Sequence, residues 1–159
     1  MLLNLIDILR IVIVCFGIFW GYTIGFNNGY DPVAQLHVTI PVVIVAIAGF
    51  SGLEGLLFGA KTAENKGFKT DGNYQRQSAI ALLSYAAVAL VVYFCKWGIK
   101  AELTIFFAFI FFFIFSGINH AVDAFRNKNY KWQNINRPFI TFFLIAALIY
   151  PIIKVIQDL

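Results

Sequence analysis

Residues 103–124 read LTIFFAFIFFFIFSGINHAVDA. The run is apolar from Ile105 to Phe115, and after Thr104 its polar side chains arrive only near the end, as Ser116, Asn119, His120 and Asp123. A helix crosses the hydrocarbon layer with roughly 20 such residues, and ~17 is the lower limit. Four more stretches of the same kind lie at Leu5–Ile24, Val38–Gly59, Ser78–Cys95 and Phe139–Ile156. In lipid, backbone amides find partners only within their own segment or a closed barrel, so these stretches are expected as helices. The fold expected is an all-α, polytopic transmembrane bundle of five helices, forming a single transmembrane domain over 1–159.

Composition agrees. The 159 residues are 60% hydrophobic and 13% charged, with a mean hydropathy of +0.79. A soluble domain of this size has no interior for so much apolar side chain. Five spans leave little chain for a separate catalytic domain.

The net charge of +4 could suggest nucleic acid, but the positions of the charges point to topology instead. Lys61, Lys66, Lys69 and Arg76 cluster between spans 2 and 3, and Arg126, Lys128, Lys131 and Arg137 between spans 4 and 5. With Arg10 they make nine cations on one side, against Lys96, Lys100 and Lys154 on the other. Cytoplasmic loops carry such an excess. The N-terminus is therefore expected inside and the C-terminus outside, in a bacterial cytoplasmic membrane. Trp20, Tyr22, Tyr30 and Trp97 would mark the outer edge, and Tyr74, Tyr130 and Trp132 the inner one. Asp7 and Arg10 interrupt the first run, and no small-x-small cleavage site follows, so an uncleaved helix is expected.

Lys96–Ala101 is a short turn that should make an antiparallel hairpin of spans 3 and 4. Pro138 suits the first turn of span 5, and Pro151 should kink or end it. Asn27, Asn28, Gly29, Asp31 and Pro32 are turn formers in the outer loop. Cys15 and Cys95 differ in depth, which disfavours a disulfide, and both read as small packing residues. There is no internal repeat of the kind that builds inverted-repeat transporters.

Gly17, Gly21 and Gly25 recur every four residues, which places them on one helical face where another backbone can approach. Gly52 and Gly55 in span 2, and Gly117 and Ala121 in span 4, offer similar small faces. Packing within the chain or a homo-oligomer contact would use them.

Ionisable residues inside spans cost on the order of 2.5–3.5 kcal/mol on insertion scales. Arg10, Glu54, His120 and Asp123 are such residues. His120 and Asp123, three apart, share a face; Asn119 is beside them, and Arg76 and Gln77 begin span 3 at the same depth. A polar cluster of Glu54, Arg76, Gln77, Asn119, His120 and Asp123 is expected at the cytoplasmic end. It would bind a headgroup, a proton or a small solute, or else lock the bundle by pairing Glu54 with Arg76, Arg10 or His120. His37 lies at the opposite end and reads as an interfacial residue. The sequence has no phosphate-binding Gly-rich loop, no His-Glu-x-x-His and no Gly-x-Ser-x-Gly. Neither a metal site nor a cofactor is expected.

Several polar marks resemble those of a small bacterial membrane-protein family of unknown function. They are Gly52-Leu53-Glu54, Phe58-Gly59-Ala60, Ala63 and Gly67, Tyr74-Gln75-Arg76-Gln77-Ser78-Ala79, Gly117-Ile118-Asn119-His120-Ala121 and Asn134-Ile135-Asn136-Arg137-Pro138. Where that family more often has Ser-Pro-Phe-Gln, this chain has Asn73-Tyr74-Gln75-Arg76-Gln77. The resemblance implies membrane location and a polar site around Gln77 and His120, and brings no activity.

The functional expectation is a non-enzymatic membrane protein whose polar pocket binds a lipid or small ligand, or which serves as an accessory subunit. The alternatives are a proton-coupled transporter or channel formed as an oligomer, and a small lipid-modifying enzyme with Glu54 and His120 as acid and base. Membrane lipids, a second copy of the chain or a larger membrane complex are the expected partners, with no nucleic acid.

Overall fold

The computed structural model describes residues 2–67 and 72–159, and these are helical outside short connections. The helices are α1 (Leu2–Gly25), α2 (Pro32–Ile44), α3 (Phe50–Lys66), α4 (Gly72–Phe94), α5 (Ile99–Arg126) and α6 (Trp132–Gln157). A π-helical segment, Val45–Gly49, joins α2 to α3, so Pro32–Glu64 forms one continuous span. Five helices are thus long and apolar enough to cross a membrane. Of the sequence's loop cations, Lys69 lies outside the described residues.

The second span is the axis of the bundle. Leu36, Ile40, Val43, Ile44, Ile47 and Ala48 on it are all buried, and α1, α4, α5 and α6 pack around it. The phenylalanine run of α5 divides by helical periodicity. Phe106, Phe109 and Phe113, spaced three and four apart, enter the core, while Phe107, Phe111 and Phe115 stand outside. The outer surface carries many other large exposed apolar side chains, among them Phe16, Phe19, Phe94 and Phe143. Such a surface suits hydrocarbon and not water. The chain is a multi-pass membrane protein.

Each spanning helix begins before its apolar stretch. The second begins at Pro32 rather than near Val38, because the Asp31 side chain accepts from the Ala34 amide at 2.9 Å and Pro32 fills the first helical position. The fifth begins at Trp132, so Pro138 sits inside it and not in its first turn. Pro151 does not end that helix either, which continues to Gln157. A proline at 151 has no amide to give the carbonyl of Ala147 one turn earlier. The Tyr22 hydroxyl of α1 donates to that carbonyl at 2.8 Å, which ties α1 to α6.

Glycines set the closest approaches. A side chain at Gly17 would meet Val42 at 2.5 Å, one at Gly25 would meet Gln35 at 2.9 Å, and one at Gly21 would strike Thr39. The Gly-x-x-x-Gly ladder of α1 therefore lies on α2 of the same chain. Gly52 and Gly55 lie on Ala79 and Leu83 of α4, and Gly117 faces Thr141 of α6. Ala121 is half-buried on α5. The two cysteines, Cys15 and Cys95, are free thiols on the outer surface, not packed in the interior.

Candidate functional site

Glu54, on α3, is 4% exposed. Its Oε2 accepts a hydrogen bond of 2.8 Å from Nη2 of Arg10 on α1. Nη1 of the same guanidinium donates to Asp7 at 2.8 Å. Arg10 thus spans two carboxylates, one on its own helix and one on α3. Of the pairings expected for Glu54, with Arg76, Arg10 or His120, the one with Arg10 is present among the described contacts.

Arg137 lies on the facing side of α6. The sequence reading counted it among loop cations, but it stands in the second turn of a helix that begins at Trp132. Its Nη1 donates to Ser116 Oγ at 3.4 Å, and its guanidinium carbon is 5.9 Å from the centre of the Phe113 ring. Among the described residues no carboxylate lies within ion-pair distance of it. The guanidinium has five N–H donors and cannot shed its charge. At the groove's mouth the carboxylates of Asp7 and Glu54 hydrogen-bond Arg10, and they act on Arg137 only at longer range.

Arg10 and Arg137 line a groove of 480 Å³ between α1 and α6. Its α1 wall is Ile11, Val14, Cys15 and Ile18, and its α6 wall is Ile140, Phe143, Leu144 and Ala147. Each set follows the spacing i, i+3, i+4, i+7, one face of a helix. The two faces look at each other across a gap, because α1 packs on α2, the π-helical segment and α3. The floor is Ile47 of the π-helical segment and Phe113 of α5. At the far end the Tyr22–Ala147 hydrogen bond ties α1 to α6, and Tyr30, in the connection after α1, stacks on Tyr150 of α6 at 5.4 Å. At the near end the charged groups, Trp132 and Asn136 form the mouth. The groove is polar at one end and apolar along its length.

His120 belongs to a different cluster. Its Nδ1 is 2.6 Å from Oδ1 of Asn134, which is fully buried. The Asn134 amide nitrogen donates to Asp123 at 3.4 Å and to the Asn129 carbonyl at 3.2 Å, so its oxygen faces the imidazole, and Nδ1 carries the proton. Asp123 also accepts from the side chains of Asn127 and Asn129, at 2.6 Å each. Asn129 reaches on to the Gly67 carbonyl at 3.4 Å, and Lys131 donates to the Glu64 carbonyl at 2.7 Å. A cation beside the last carbonyls of α3 is also favoured by the helix dipole. Gly67 itself is left-handed (φ +74°), and any side chain there would meet the Asn129 amide. This network clasps the α5–α6 connection to the end of α3.

The remaining expected residues stand apart from these clusters. Asn119 and Gln77 are exposed, on α5 and α4. Arg76 is exposed beside Gly55, Gly59 and Gln75, at a shallow groove between α3 and α4. The described contacts therefore join Glu54 to Arg10 and His120 to Asn134. Among the described residues no group of three metal-ligating side chains is assembled.

At the opposite end His37 is more than an interfacial side chain. Its Nδ1 lies 2.6 Å from Oε1 of Glu102 in the first turn of α5, and its ring stacks on Tyr93 at 4.8 Å. The sequence reading passed over Glu102, which sits between Lys100 and the apolar run as if it belonged to a solvated turn. Nearby, in the connection before α2, burial and the neighbouring Tyr22 and Tyr150 push Tyr30 up to about 12. Its hydroxyl stays protonated across the physiological range.

No curated protein and no solved structure matches the chain. A match to a family without an assigned activity runs from residue 8 to residue 158, across Arg10, Glu54, the His120 cluster and all five spans. The chain belongs to the family of unknown function DUF6790.

Proposed function

We propose that this protein binds an anionic amphiphile of the bilayer, a molecule with a phosphate or carboxylate head and an acyl chain, in the groove between α1 and α6. The observation that carries the reading is Arg137, a permanent cation within a span that faces the groove with no carboxylate within ion-pair distance among the described residues. Charges at such depth are retained where they meet an opposite charge. A guanidinium suits an oxyanion because its planar fork offers two parallel hydrogen bonds. The apolar walls below it accept the chain, and a cavity of this size lies within the ~300–1,000 Å³ usual for small-molecule sites. Trp132 and Asn136 at the mouth suit the level where headgroup meets hydrocarbon.

The excess of cations in the loops at this end supports a cytoplasmic placement of the mouth, with the N-terminus inside. Binding of this kind serves a lipid-dependent accessory subunit, or a carrier that receives lipid sideways from the leaflet. The test is native mass spectrometry of the detergent-solubilised protein titrated with phosphatidylglycerol and with phosphatidylcholine. The anionic lipid should be retained about tenfold more tightly, a difference of about 1.4 kcal/mol. Arg137→Gln should remove that preference. Equal retention of the two lipids by the unaltered protein would end the proposal.

A further inference from the structure

At the end of the bundle away from the groove, α5 starts with a carboxylate that its surroundings leave half used. Glu102 is 2% exposed. Its Oε1 meets the His37 imidazole, but its Oε2 is buried with no hydrogen-bond partner among the described residues. Buried acceptors are normally paired, and an orphan calls for a donor. A carboxylate oxygen accepts from a cationic N–H more strongly than from a neutral one.

The same residue lines a cavity of 360 Å³. Tyr93, Phe94, Val33 and Ile99 give it aromatic and aliphatic walls, and His37 lines it as well, its ring stacked on Tyr93. Gly98, in the connection between α4 and α5, lines it without a side chain, its φ of +87° keeping the turn open. One buried carboxylate beside aromatic faces is the chemistry that recognises an organic ammonium group. The carboxylate takes the N–H, and the rings take the charge and the carbon skeleton. Lys96 is the competing cation. It also lines the cavity, but as an exposed residue of the turn, so solvent can hold its ammonium.

We infer that the cavity around Glu102 and His37 is a binding site for a small organic ammonium ligand, separate from the lipid groove and on the other side of the membrane domain. Glu102 accepts the ammonium hydrogen at Oε2. His37 is a positioning residue that holds the carboxylate through Oε1. Tyr93 and Phe94 face the ligand's carbon skeleton.

The probes are 4-fluorobenzylammonium and its neutral counterpart 4-fluorobenzyl alcohol, followed by fluorine NMR on the full chain in nanodiscs. The ammonium should bind saturably, and at least tenfold more tightly than the alcohol. Glu102→Gln, which keeps the shape of the side chain, should lose that tenfold. Should this variant not fold, the ammonium-to-alcohol ratio of the unaltered protein decides alone. Lys96→Ala should bind the ammonium as well or better. Equal binding of the two probes, or no saturable binding of either, overturns the inference. So does ammonium binding that appears only in Lys96→Ala, since Lys96 would then be the natural occupant.

Discussion

Two polar clusters lie at the same end of this bundle and differ in how completely they are neutralised. In the clasp of His120, Asn134, Asp123 and Asn129, donors and acceptors interlock across α5, the α5–α6 connection and the end of α3. At the mouth of the α1–α6 groove, Arg10 hydrogen-bonds the carboxylates of Asp7 and Glu54, and Arg137 has no carboxylate within ion-pair distance among the described residues. A polar network with its bonds made inside a membrane domain fixes geometry. A charge left over beside an apolar groove asks for a ligand. Polarity within a span is therefore a weak sign of function by itself; incomplete neutralisation is the stronger one.

The contrast makes the two clusters respond differently to substitution. The largest loss is expected from Glu54→Leu. It strands Arg10 with Asp7 alone and should lower unfolding free energy by about 3–5 kcal/mol, the usual cost of breaking a buried ion pair from one side. Reversible unfolding in mixed micelles measures it, and a change under ~1 kcal/mol would mean that the pair is not held as described. Next comes the clasp. Asn134→Leu leaves the His120 N–H without its acceptor, and a cost of about 1–3 kcal/mol is expected, with lipid selectivity unchanged. A loss of selectivity there would merge the two clusters into one functional unit. Arg137→Gln should show the opposite pattern. Its unfolding free energy should stay level or rise, while the preference for anionic lipid falls about tenfold.

A smaller effect is expected where the groove is closed. Tyr22→Phe removes the donor that answers the Ala147 carbonyl left open by Pro151, for a loss of about 1 kcal/mol in the same unfolding measurement. The smallest concerns pH. Tyr30 has an ordinary value of 10.0 and is raised to about 12 in the folded chain. Between those values the unfolded chain has already lost the proton and the folded one has kept it. Stability should therefore be unaffected by Tyr30 below pH 10 and should fall as pH rises from 10 toward 12. Tyr30→Phe should remove that part of the decline.

Much of the architecture was legible because hydrocarbon imposes it. Five apolar runs could only be helices, and the glycine ladder of α1 named a close contact that the structure places on α2. The helix ends were less legible. Apolarity marks where lipid begins, whereas helices continue on capping and on backbone hydrogen bonds alone. Asp31 with Pro32 started α2 early, and Trp132 started α6 before its prolines. That second shift is why Arg137 was missed. Read as a loop cation it signalled topology; one turn and a half into a helix it faces the groove. Glu54, Arg10, His120 and Asp123 were visible as costly residues, but the sequence could not say which would meet which. Pairing depends on how helices rotate against one another, and periodicity leaves that free. Glu102 gave no signal beyond its charge, because burial at the edge of a span comes from tertiary packing.

The most direct test follows the occupant of the groove by light. Trp132 stands at the mouth, and Trp20→Phe with Trp97→Phe leaves it as the chain's one tryptophan. In vesicles containing lipids with brominated acyl chains, quenching of Trp132 reports which lipid sits beside it. The expected result is quenching about tenfold more sensitive to brominated phosphatidylglycerol than to brominated phosphatidylcholine, with the difference abolished by Arg137→Gln. Identical quenching by both lipids, or a preference that survives loss of the Arg137 guanidinium, would contradict the account.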